Sequence, residues 1–189
     1  MNMTGVSIIG WLHTYACVAA LVVGAIVLIG PKGTTLHRRL GAIYIISAVI
    51  ADLAVLGVYR FDIQFVPVKF GPGIFGLFHW EAMIQLVILL VAFLAASRQR
   101  RAFFAYLHPA AMLTSYYMFW GGLVNEVFVR IAPLKALAMA HLAHPVLNVA
   151  LTPLVRGSQR AVMIVFAVIL IGFMIQVALG RRRRSMQPA

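Results

Sequence analysis

Five stretches of this chain, residues 5–30, 40–58, 73–97, 109–131 and 160–180, are apolar over lengths that a soluble fold of this size cannot cover. About 20 apolar residues in a helix cross the ~30 Å hydrocarbon layer of a bilayer, which is close to the length of each stretch. A backbone in lipid must satisfy its own hydrogen bonds, so these segments read as helices rather than open strands. Hydrophobic residues make up 63% of the 189 positions and charged residues 11%, against roughly a quarter charged in ordinary soluble proteins. No composition remains for a separate soluble domain. The predicted architecture is an all-α integral membrane helical bundle, with residues 1–189 as one transmembrane domain. It has an up-and-down four-helix core within 5–131, an outer interfacial segment at 132–159, a fifth C-terminal transmembrane helix at 160–180 and a basic cytoplasmic tail at 181–189. The start, MNMTGVS, has no basic region ahead of its apolar run and reads as part of a retained first helix rather than a signal peptide.

A formal net charge of +12 raises the question of a nucleic-acid partner. The basic residues sit at the ends of the apolar runs, however, and membrane orientation explains that placement more simply. Lys32, Arg38, Arg39, Arg98, Arg100, Arg101 and the run Arg181 to Arg184 fall on one side if five segments span; Arg60, Lys69, Arg130, Lys135, Arg156 and Arg160 fall on the other. A sixth span across 136–155 would erase that bias. The expected topology is therefore N-terminus outside and C-terminus cytoplasmic, in a bacterial inner membrane. Asp52, Asp62, Glu81 and Glu126, all the acids of the chain, then map to the outer half.

Chemistry is concentrated in the histidines. His13 opens the first apolar run and His37 follows its end, 24 positions later, about one crossing of the bilayer. His79 opens the next outer-to-inner run, 73–97, and His108 follows about one crossing later. In an up-and-down bundle His13 and His79 share the outer depth, and His37 and His108 the inner. An imidazole within apolar helices is costly unless it has a partner, so each is a functional candidate. Gly10, Cys17, Ala20 and Gly24 share a face with His13, a thin surface that predicts room for something flat and bulky. Thr34 or Thr35 is placed to N-cap the second helix, with His37 in its first turn. Pro109 either occupies a first turn or interrupts a helix beginning near Ala102. Cys17, the single cysteine, excludes an intrachain disulfide and reads as a small core residue.

Haem iron takes two axial imidazoles from different helices, and two pairs at two depths supply two such sets. The alternative is a divalent metal such as zinc or copper, held by His13, His79, Glu81 and Glu126 with His141 or His144. That site leaves the inner pair unexplained. A third reading makes the histidines structural, in a scaffold subunit.

The elements GWLHTYACVAALVVG, PKGTTLHRRLGAIY, FHWEA and LHPAAMLTSYYMFWGGLV resemble the bacterial membrane-protein family known as domain of unknown function 2306, over roughly residues 8 to 130. Their layout is also similar to two-haem cytochromes b and ferric-reductase-like bundles. That likeness implies two haems b, one on His13 and His79 and one on His37 and His108, with Arg38, Arg39 and Arg101 as propionate or headgroup partners. It implies transmembrane electron transfer, with a quinone or small oxidant at one end. Asp52, Glu81 and Glu126 are the candidate proton relay. No nucleotide- or flavin-binding motif is present, so a hydride donor requires a redox partner protein.

Overall fold

The computed structural model describes residues 8–57, 77–98, 101–140, 142, 149 and 152–185. These are all-α: α1 (Ile8–Ile29), α2 (Thr35–Leu56), α3 (Leu77–Ala96), α4 (Ala102–Arg130), α5 (Ala132–Met139) and α6 (Pro153–Ser185). Four of them, α1, α2, α3 from Phe78 and α6 up to Gly180, are long and apolar enough to cross a membrane. The chain is a multi-pass membrane protein. Val18, Val22 and Ile26 on α1, Val87 and Leu90 on α3, and Val165, Val168 and Ile171 on α6 are exposed, a surface suited to lipid and costly in water.

Helix bounds differ from expectation. α4, expected as a span over 109–131, covers Ala102–Arg130 and is not one of the four helices that meet the length and hydropathy of a crossing. It packs against α1, α3, α5 and α6, so it carries Ser115, Tyr116, Asn125 and Glu126 at buried or half-buried positions with neighbours to shield them. Pro109 lies inside α4, and its missing amide leaves the Ala105 carbonyl without its helical donor. The stretch 132–159 is not one interfacial segment: α5 occupies its start, and α6 begins at Pro153 rather than near 160. Proline is accepted in a first turn because its amide has no helical partner there; Pro133 stands at the start of α5 for the same reason. α6 also continues to Ser185, through the arginines expected in the basic tail at 181–189. Its 33 residues make a rod of about 50 Å.

Side-chain contacts fix the direction of each helix. His13 Nδ1 lies 3.0 Å from the Ala51 carbonyl, joining the start of α1 to the later part of α2. His108 Nδ1 lies 2.9 Å from the Ala92 carbonyl, joining the early part of α4 to the later part of α3. Gln159 Nε2 donates to Asn125 Oδ1 at 2.8 Å, and Lys32 Nζ stands 5.2 Å over the Phe173 ring. α6 thus runs antiparallel to α4, with its later half near the α1–α2 turn.

That turn follows from local chemistry. Gly33 adopts φ +78°, a left-handed conformation that glycine takes without steric cost. Thr34 then caps α2, its Oγ1 accepting from the His37 amide at 3.1 Å. Lys32 Nζ donates to the carbonyls of Val27, Leu28 and Gly30, satisfying groups that the end of α1 leaves open. Its partial burial lowers the pKa from the ordinary lysine value. Thr34→Ala removes the cap acceptor and is expected to cost about 1 kcal/mol. Thermal melting of the purified protein checks this, with an unchanged midpoint counting against the cap.

The middle of the molecule is packed by Ala16 and Ala20 of α1, Tyr44, Ala48 and Ala51 of α2, Leu89 of α3, and Tyr116 and Phe119 of α4. Small residues let helices approach closely where lipid supplies little hydrophobic drive between them. The thin face of α1, expected to admit a foreign flat group, receives two rings of the chain itself at Gly24. A Cβ added there meets Tyr116 Cε2 at 2.5 Å and Tyr44 Cδ2 at 3.2 Å. Tyr44 and Tyr116 meet edge to face, centroids 6.1 Å apart. Hydrogen bonds hold both: the Tyr44 hydroxyl is 2.7 Å from Ser115 Oγ, and Tyr116 donates to the Leu21 carbonyl at 2.9 Å.

Candidate functional site

The helix directions collect the chemically active residues at two ends of the packed middle. At one end stand His13, half buried, and His79, 2% exposed in the first turn of α3. Asp52 lies beside Ala51 and within electrostatic range of Glu81. Cys17 lies within range of Asp52 and Glu126. At the other end His37 lies within range of Lys32 and His108. Thus His37 and His108 stand together beside basic residues, while His13 on α1 and His79 on α3 both lie toward the acidic end, on helices that do not pack directly on each other.

Two hydrogen bonds define what His13 and His108 offer. A carbonyl can only accept, so the nitrogen facing it must carry the proton: Nδ1 donates to Ala51 O in His13 and to Ala92 O in His108. In the neutral ring the lone pair is then on Nε2. This is the arrangement by which a ligating imidazole is held in one tautomer and orientation by an outer carbonyl. In His13 the Nε2 lies 3.5 Å from Cys17 Sγ, one helical turn along on the same face. Cys17 is therefore a neighbour of the imidazole as well as a core residue.

His37 presents a different case. Its backbone amide is taken by the Thr34 cap, and its Nδ1 is buried with no hydrogen-bond partner. Arg38, Arg39 and Arg101 are exposed at this end, and Arg38 reaches Thr35 Oγ1 at 3.4 Å. No known family model, curated protein or solved structure matches the chain. The likeness to the family of unknown function 2306 therefore rests on the sequence elements alone.

Among the described residues no three of His, Cys, Asp and Glu are close enough to hold a metal ion between them. His13, His79, Glu81 and Glu126 therefore form no mixed nitrogen and oxygen cluster, because they are spread over α1, α3 and the far end of α4. His141 and His144 lie outside the described residues, as do Asp62, Arg60, Lys69 and Arg100.

Two features escaped the sequence reading. One is the Tyr44–Ser115–Tyr116 group that separates the histidine ends; hydroxyl-bearing residues in apolar helices were the available signal, but nothing in the sequence paired them. The other is Gln85, 3% exposed with Nε2 buried and unpartnered. A glutamine one turn after Glu81, in a helix that is otherwise apolar beyond that residue, was legible as an oddity.

Proposed function

We propose that the protein is a b-type membrane cytochrome that carries electrons across the bilayer, with one haem toward each end. The observation that carries this reading is the pair of Nδ1–H to carbonyl bonds, His13 to Ala51 and His108 to Ala92. They leave Nε2 as the lone-pair atom in rings at opposite ends, with His37 in electrostatic range of His108 and His79 buried toward the same end as His13. The donor set fits the group: two imidazoles per site from different helices, and at His37 a buried nitrogen without a partner.

His13 and His79 are assigned to one site and His37 and His108 to the other, within an up-and-down core of α1 to α4 flanked by α6. Haem supplies one-electron chemistry by cycling its iron between ferric and ferrous states. The residues of the chain do the rest. The two carbonyl bonds hold imidazole orientation, Tyr44, Tyr116, Phe119 and Leu89 keep water from the middle, and Arg38, Arg39 and Arg101 are free to meet propionates or lipid phosphates. The basic end faces the cytoplasm of a bacterial inner membrane under the positive-inside rule. A quinone or small oxidant is the exchange partner at one end, with Asp52, Glu81 and Glu126 nearby to handle protons.

The visible spectrum of detergent-solubilised protein, before and after dithionite, tests the assignment. Low-spin bis-histidine bands and about two haems per chain are expected. Colourless protein from cells supplied with haem sinks the reading, and zinc or copper found by metal analysis points to the divalent-metal alternative.

A further inference from the structure

At the acidic end the polar atoms buried with no hydrogen-bond partner include Asp52 Oδ2 on α2 and Gln85 Nε2 on α3. Their residues are only 6% and 3% exposed. α2 packs on α3, Glu81 lies within electrostatic range of Asp52, and Gln85 follows Glu81 by one turn on the same helix face. One adjacent pair of helices thus presents a carboxylate acceptor and an amide donor in the same region.

Leaving a buried polar group unpaired costs about 1–3 kcal/mol, and more where it is charged. Water commonly offsets this cost in soluble proteins, but the hydrocarbon region offers little. An unmet acceptor and an unmet donor on facing helices together complement a molecule that has both a hydroxyl and an accepting oxygen. Two further facts narrow the class. The surroundings are membrane helices, so the molecule must partition into lipid; the groups in electrostatic range are acidic, Glu81 for Asp52 and Glu126 for the neighbouring Cys17, so an anion is disfavoured. No three metal-ligating side chains gather here among the described residues, which turns the choice from a cation to an organic hydrogen-bonding group.

We propose that Asp52 and Gln85 form the headgroup site for a membrane-soluble hydroquinone. One ring hydroxyl donates to Asp52 Oδ2, and a ring oxygen accepts from Gln85 Nε2. The site names the substrate class of the cytochrome proposed above; it rests on that reading for the fate of the electrons, whereas binding stands without it.

The test uses the full chain in lipid nanodiscs and durohydroquinone under anaerobic conditions, with binding read by equilibrium dialysis against empty nanodiscs. Saturable binding is expected, and Gln85→Leu and Asp52→Leu should each raise Kd at least tenfold. Gln85→Leu should melt no lower than the parent, because an apolar side chain replaces an unpaired amide. Uptake equal to that of empty nanodiscs, or Gln85→Leu binding as tightly as the parent, overturns the site. Should Asp52→Leu fail to fold, Gln85→Leu decides alone. The visible spectrum keeps the two proposals apart: red protein without hydroquinone binding removes only this site, and colourless protein that binds it removes only the cytochrome.

Discussion

Purified His13→Ala protein is expected to hold one haem, the one on His37 and His108, and His108→Ala protein to hold the other. Each iron needs two imidazoles, so losing either partner empties that site. The packed layer of Tyr44, Tyr116, Phe119 and Leu89 stands between the two ends, which keeps the loss local. His79→Ala should match His13→Ala, and His37→Ala should match His108→Ala. The remaining haems should also differ in midpoint potential. Positive charge favours the added electron, and Lys32 is near His37 while Asp52 and Glu81 lie at the His13 end, so the His37–His108 site should be reduced at the more positive potential. Haem content and a redox titration of each variant read this directly. A single substitution that bleached both haems in a folded protein leaves the two-site arrangement without support.

Gly24→Leu is expected to be the most damaging substitution in the middle of the molecule. Even a Cβ at this position meets the Tyr116 ring at 2.5 and 2.7 Å. The ring has little freedom to retreat, because its hydroxyl is bonded to the Leu21 carbonyl and its edge packs on Tyr44 and Phe166. Replacing a helical glycine gains about 1 kcal/mol of intrinsic propensity, while overpacking a filled core costs about 1–3 kcal/mol and occasionally more. With the whole leucine side chain beyond that Cβ, the clash wins. Gly172→Leu is the control: it also replaces a glycine in a membrane helix, but nothing lies within 4 Å of its added Cβ, so it should melt at or above the parent temperature. Equal melting of the two variants means that Tyr116 does not need the thin face of α1.

The sequence by itself determined the class of this protein. Apolar runs of about 20 residues in lipid leave the backbone only helix or closed barrel, and a run about twice the length of a barrel strand selects helix. It also placed the cap of α2 at Thr34 or Thr35 and the four histidines near helix ends, because caps and element ends depend on local order. Helix boundaries were less legible. Pro153 and Pro109 each permit more than one helix start, and only the packing of α6 and α3 on α4 selects the longer helices. The tertiary structure alone decided what fills the thin face of α1. Small residues at 16, 20 and 24 require a bulky neighbour but do not say which, and Tyr44 and Tyr116 come from distant helices. It decided the polar pairings for the same reason. His13 with Ala51, His108 with Ala92 and the unmet atoms of Asp52 and Gln85 all depend on which helices lie side by side and at what height, quantities set by packing across the bundle rather than by the order of residues along any one helix.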